Sequence, residues 1–169
     1  MKFFFSVWIS AVLLIVSGCG YGFQSRGPLQ ENVQTIHVAL FKNNSYESGA
    51  ETIFTSALIN EIMDRSTTEV ENEENADAVF RGVIKSVSLR ALTRNTDGTV
   101  KERRVSATID LEMIGNGGEV LWSVYNFTKN EDYSAESDNI TDMESRSTSI
   151  EEIADSMVET LVGRMIDDF

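Results

Sequence analysis

The stretch Val105-Ser106-Ala107-Thr108-Ile109-Asp110-Leu111-Glu112-Met113 alternates without a break. Val105, Ala107, Ile109, Leu111 and Met113 fall on one side of an extended chain, and Ser106, Thr108, Asp110 and Glu112 on the other. Successive side chains of a strand point to opposite faces, so this stretch predicts a β-strand with one buried and one wet face. Its flanks carry the joints of a meander. Before it, Ala78 to Leu92 contains Phe80, Val83, Ile84, Val87 and Leu89, and Asn95-Thr96-Asp97-Gly98 then supplies a hairpin turn. After it, Gly115-Asn116-Gly117-Gly118 makes a second turn, and Val120-Leu121-Trp122-Ser123-Val124-Tyr125-Asn126-Phe127 reads as the next strand. Apolar residues occupy both faces of that last strand, which predicts burial on both sides.

Outward from the meander, the C-terminal segment holds helical spacing through Ile150, Ile153, Ala154, Met157, Val158, Leu161, Val162, Met165 and Ile166. That is a long amphipathic helix packed on the sheet, with its methionines as core filler. Met143 and Ser147 continue the phase backwards, and Thr141 with Glu144 has capping-box spacing, so the helix is expected to start near Thr141; Ser149 with Glu152 offers a later start. Toward the N-terminus, Thr35 to Phe41 is a short apolar run suited to a buried strand, ended by Asn43-Asn44-Ser45. Ser48 and Glu51 have capping-box spacing ahead of Ala50, Ile53, Phe54, Ala57 and Leu58, which predict a first helix that Ile62 and Met63 extend. Glu69, Glu71, Glu73, Glu74 and Asp77 then read as a short edge strand and a solvated acidic loop, since the glycine and alternation of a calcium loop are missing. This order predicts an α+β two-layer sandwich over residues 35–169, with two helices packed on one face of a mixed, mostly antiparallel four-stranded sheet.

The chain begins differently. Lys2, the apolar run Phe3 to Val16 and the small pair Ser17-Gly18 have the layout of a signal peptide over residues 1–18, too short and poorly flanked for a comfortable transmembrane helix. Cys19 is the lone cysteine, so no disulfide can close within the chain. Val16-Ser17-Gly18-Cys19 resembles the lipobox of bacterial lipoproteins, which implies acylation of Cys19 and removal of the preceding segment. Each buried acyl methylene contributes roughly 0.8 kcal/mol, so several chains would hold the protein on a membrane effectively permanently. Gly20, in place of Asp, resembles lipoproteins sorted to the outer membrane. Residues 19–34, rich in glycine and turn formers around Pro28, read as a lipidated tether.

Fourteen basic against 27 acidic side chains give a net charge of −13, which argues against a general nucleic-acid binder. No catalytic constellation emerges. His37 is the only histidine and lies in an apolar strand, and no nucleophile elbow, phosphate loop or zinc set accompanies it. No metal or cofactor is expected. The local anomaly is basic: Arg90, Arg94, Lys101, Arg103 and Arg104 gather around the first hairpin, against Asp97 and Glu102. Guanidinium groups pair with phosphates or carboxylates, so this hairpin is a candidate contact for an anionic head group or an acidic protein surface.

These features together resemble the lipopolysaccharide-assembly lipoprotein family, the LptE type. The resemblance is carried by Cys19-Gly20-Tyr21-Gly22-Phe23, by Ile36-His37-Val38-Ala39-Leu40-Phe41-Lys42-Asn43, by Glu51 to Glu61, by Ala76-Asp77-Ala78-Val79-Phe80-Arg81-Gly82 and by the long C-terminal helix. It implies a non-enzymatic outer-membrane lipoprotein, on the periplasmic side, that plugs a large β-barrel partner and assists delivery of lipopolysaccharide to the outer leaflet. Under that resemblance the basic hairpin meets either the lipopolysaccharide head group or the barrel. The alternative is another periplasm-facing lipoprotein of related architecture, a secretion-channel subunit or a peptidoglycan-synthase activator, which the strand, helix and Ala76-Asp77 to Gly82 arrangement also resembles.

Overall fold

The computed structural model describes residues 26–135 and 139–167, so the signal segment, Cys19 and the first part of the tether lie outside the described residues. Its elements are β1 (Thr35–Val38), β2 (Lys42–Asn43), α1 (Ala50–Arg65), β3 (Glu69–Val70), a 3-10 turn (Glu73–Asn75), β4 (Ala78–Arg94), β5 (Val100–Gly115), β6 (Val120–Ser134) and α2 (Asn139–Asp167). The sheet runs β3-β1-β4-β5-β6, with β2 also on β4. β1 pairs in parallel with β3 and β4, β2 in parallel with β4, and the β4-β5-β6 meander is antiparallel. The α+β architecture is as expected, but the sheet has six strands rather than four. The surplus comes from two-residue pairings such as β2, too short to leave a periodic signal; the acidic stretch does form its short edge strand, β3.

One core lies between sheet and helices. β5 contributes Val105, Ala107, Ile109, Leu111 and Met113, all buried, as the alternation requires. α1 adds Ala50, Phe54, Ala57, Leu58 and Ile62, and α2 adds Ile150, Ile153, Ala154, Met157, Val158, Leu161, Val162 and Met165. Leu29 and Val33, from the stretch expected as tether, are buried with them. Thr68 holds that stretch in place: its hydroxyl accepts the Leu29 N–H at 3.2 Å and donates to the Val33 carbonyl at 3.4 Å.

Two motif residues have clear physical reasons. The Asp77 carboxylate accepts the N–H groups of Gln34 and Thr35 and the Thr35 hydroxyl, at 3.0, 2.9 and 3.0 Å, and so ties the start of β1 to the start of β4. Those bonds hold its pKa below the usual carboxylate range, the Thr35 N–H contributing most. Gly82 lies under the Phe41 ring, where an added Cβ would come within 2.2 Å of ring carbon. Only a residue without a side chain lets β4 pass this close.

Several expectations fail for local reasons. The Ser48–Glu51 capping box does not form: α1 begins after Gly49, at φ 88°, with no side-chain cap. The Glu51 carboxylate turns instead to its own backbone N–H and the Asn43 amide, which hold its pKa down. Met63 is 59% exposed: one residue on from the fully buried Ile62, it lies about 100° further around α1, off the buried face. The start of α2 does agree: it begins at Asn139, within two residues of Thr141. Met143, 70% exposed, and Ser147, also exposed, do not continue its buried stripe, which begins at Ser149 and Ile150. β6 buries no residue fully, contrary to the two-sided burial expected: it is the edge strand, half covered by α2 on one face and open on the other.

Candidate functional site

The long β4–β5 hairpin carries the basic cluster, and its geometry divides the five side chains. The turn is closed by Asn95 and Thr99 main-chain bonds, with Gly98 at φ 87°. Asp97 accepts the Thr99 hydroxyl and N–H, which hold its pKa down. Arg94 donates to the Gly98 carbonyl at 2.9 Å and so is spent on the turn. Arg104 donates two hydrogen bonds to Asp132 of β6, at 2.6 Å each, a bidentate pair that raises the guanidinium pKa and lowers that of the carboxyl. Arg103 points to the opposite face and meets Asp142 of α2 at 3.0 Å. Arg90 sits directly across from Arg104 in the pairing register, and Lys101 lies on β5 near the turn. Arg90 and Lys101 meet no side-chain partner among the described residues.

Two bulges shape the open face of the sheet. Lys85 is the extra residue of β4 between the pairs Ile84↔Ile109 and Ser86↔Thr108. A one-residue insertion reverses which alternate side chains face inward. Ala78, Phe80 and Ile84 are therefore buried before it, whereas Val87 and Leu89 face inward after it. In β6 a matching irregularity falls between the partners of Ile109 and Leu111, where Asn126 adopts φ 55°. Asp110 stands between the two. It accepts the Asn126 N–H at 2.7 Å and lies 3.4 Å from Lys85, whose ammonium donates to Asn126 Oδ1 at 2.6 Å. The same face continues as cross-strand pairs, Ser106 with Asn130, Thr108 with Thr128 and Glu112 with Tyr125.

The inner face of β6 is fastened to α2 by polar groups. Lys129 donates to Ser156 O, Ser156 Oγ and Thr160 Oγ1, each at 2.7 Å. The Arg164 guanidinium lies 5.3 Å from the Phe127 ring centre. Nearer the hairpin, Arg146 pairs with Glu47. The Tyr133 hydroxyl is buried without a well-formed hydrogen bond, beside Asp142 and Arg103. Burial first, and the Asp142 charge second, push its pKa up.

His37 donates its Nδ1–H to the Glu71 carbonyl at 3.0 Å, fastening β1 to the chain after β3. No group of three metal-ligating side chains is found among the described residues, and no described helix is long and apolar enough to cross a membrane. Lys85, Asp110, Asn126 and Lys129 were not singled out by sequence. Asn126, a poor strand former inside an apolar run, is the one signal that could have marked the bulge.

The elements define a two-layer α+β sandwich. Solved structures share it: uncharacterized lipoprotein B from Nitrosomonas europaea matches with TM-score 0.61 at 12% identity, covering 89% of this chain and 92% of that one. A minor lipoprotein from Acinetobacter baumannii matches with TM-score 0.50 at 12% identity, covering 80% and 92%. A single-substitution variant of the PelC dodecamer from Paraburkholderia phytofirmans matches with TM-score 0.51 at 19% identity, covering 84% and 93%. No curated protein matches the sequence. The model of the LptE family, lipopolysaccharide-assembly, matches residues 33–165, and the chain belongs to that family. It is a family of non-enzymatic lipoproteins associated with the outer membrane.

Proposed function

We propose that this chain is an outer-membrane lipoprotein, acylated at Cys19 after loss of residues 1–18, that faces the periplasm and plugs a large β-barrel translocon delivering lipopolysaccharide to the outer leaflet. The family match over residues 33–165 carries the reading. A rigid sandwich bound permanently to the membrane surface suits it, since confinement raises the effective concentration of a partner without any new contact. Within the basic hairpin, Arg90 and Lys101 are the groups that would meet lipid phosphate or an acidic barrel surface, with Arg94 supporting the turn between them.

The test is a mild-detergent pull-down of the tagged lipoprotein from outer membranes. A stoichiometric large β-barrel is the expected result. A homo-oligomeric ring alone, or an inner-membrane enzyme, overturns the plug. Removing both free cations, Arg90→Ala with Lys101→Ala, is expected to weaken lipopolysaccharide binding or barrel retention; unchanged binding and retention would remove the hairpin from the interface.

A further inference from the structure

Three side chains from three adjacent strands converge at the paired bulges of the open face. Lys85 of β4 donates to Asn126 Oδ1 of β6 at 2.6 Å, and its ammonium lies 3.4 Å from Asp110 Oδ2 of β5. Asp110 Oδ1 accepts the Asn126 N–H at 2.7 Å, which closes the set. Strands two apart in a sheet are separated by roughly 10 Å, so β4 and β6 side chains do not ordinarily touch. Here the bulges re-aim them: Lys85 is the extra residue of β4, and Asn126 is the one described residue other than glycine with positive φ. An amine, a primary amide and a carboxylate in contact are the reactants and the base of an amide exchange. Oδ1 is bonded to Cγ, so Nζ stands no more than about 3.8 Å from the carbonyl carbon, near the distance from which attack begins. One carboxylate holds the acceptor by its main chain and faces the donor with its other oxygen, so a single group positions both reactants.

We propose that Lys85 and Asn126 join in an intramolecular isopeptide bond, with Asp110 as the base. Asp110 takes a proton from the Lys85 ammonium, and the freed Nζ attacks Asn126 Cγ. The Nζ–Cγ bond forms and the Cγ–Nδ2 bond breaks. Of the three ammonium hydrogens of Lys85, one stays on the new amide and two leave with Nδ2 as an ammonium ion, passed across by Asp110. No oxidant or reductant takes part. The site is partly open to water, which favours charged groups and slows the first proton transfer. Fixed geometry offsets this, since well-oriented intramolecular reactions reach effective molarities of about 10⁵ M and more, and one turnover in the life of the chain is enough. The product bolts an edge strand in place: β6 has β5 as its sole neighbour in the sheet, and the link reaches past β5 to β4. With one cysteine, the chain has no disulfide to do this.

The experiment purifies the full lipoprotein, unfolds it, digests it with trypsin and weighs the peptides. Trypsin cuts after a free lysine and not after an acylated one. Joined protein is expected to give residues 82–90 linked to 105–129, lighter than the two peptides together by one ammonia. Recovery of 82–85, 86–90 and 105–129 as separate, unmodified peptides overturns the proposal. Lys85→Arg removes the donor, and Asn126→Gly removes the acceptor while permitting the positive φ. Each is expected to fold and to lose the linked peptide; a linked peptide that survives either change overturns the assignment. Asp110→Asn is expected to slow joining by about 100-fold or more with the far-ultraviolet spectrum unchanged. An unchanged rate in that variant overturns Asp110 as the base.

Discussion

The two ends of the sandwich are held by different physics. At the core end, α1 and the C-terminal turns of α2 cover β1, the first half of β4 and β5 beyond Val105 with fully buried aliphatic and aromatic side chains. At the hairpin end the first turns of α2 bury little, and Ile140 and Met143 stand exposed. They are held instead by Arg103–Asp142 and Arg146–Glu47. Apolar burial is not weakened by charge screening, whereas partly exposed ion pairs are. One helix thus passes from a salt-indifferent half to a salt-sensitive half, so its unfolding need not be uniform.

Substitutions should separate the two ends. Leu161→Ala removes a fully buried side chain from the core end. It should cost about 2–5 kcal/mol in urea unfolding. Gly82→Ala forces a methyl group into the buried Phe41 ring. It should cost about 1–3 kcal/mol by the same measurement. Lys129→Met, at the boundary, removes three hydrogen bonds to Ser156 and Thr160. Its expected cost is about 1–2 kcal/mol, below the range for a fully buried charged donor because Lys129 is only partly covered. Arg103→Ala should cost about 0.5–1 kcal/mol in total. Its clearer effect is local: amide exchange over residues 140–148 should quicken, and high salt should reproduce this in the wild type while residues 153–165 stay protected. Uniform protection along α2 in high salt would erase the comparison.

Titration gives the smallest and most selective effects. Asp77, at the core end, has a folded pKa below its ordinary 3.8. Its contribution is therefore present above that value and is lost as pH falls through the folded pKa. Asp77→Asn should flatten the acid limb of a stability profile. Tyr133, at the hairpin end, has a folded pKa above its ordinary 10.0, so the native state holds the proton more tightly. Its contribution is complete below that value and is lost as pH rises through the folded pKa. Tyr133→Phe should flatten the alkaline limb and cost little at neutral pH, because the hydroxyl it removes makes no well-formed hydrogen bond.

What was legible in the sequence follows the same division. The β5 alternation and the α2 stripe from Ile150 to Ile166 are set by burial against one continuous core, and such burial writes a period into the chain. The parallel pairing of β1 with β4 leaves no local mark, since it joins Ile36 to Ala78 across α1. Phase was lost wherever a single residue altered it, as at Lys85, or where apolar residues lay on an open edge, as at Val120 and Tyr125. The basic cluster was visible as composition. Its partition was not, because Asp132 and Asp142, which neutralise Arg104 and Arg103, come from later elements.

The chain reaches the domain beside the C-terminal end of α1, where Gly27 bridges to Ser66 and accepts the Thr67 N–H at 3.0 Å. β4 starts close to that corner, next to β1, and carries the hairpin away over 17 residues. At about 3.3 Å per residue the tip stands on the order of 50 Å from the corner. Under the proposed anchor the hairpin is then a lever with its pivot near the lipid: a small tilt of the domain at the membrane sweeps Arg90 and Lys101 through a wide arc.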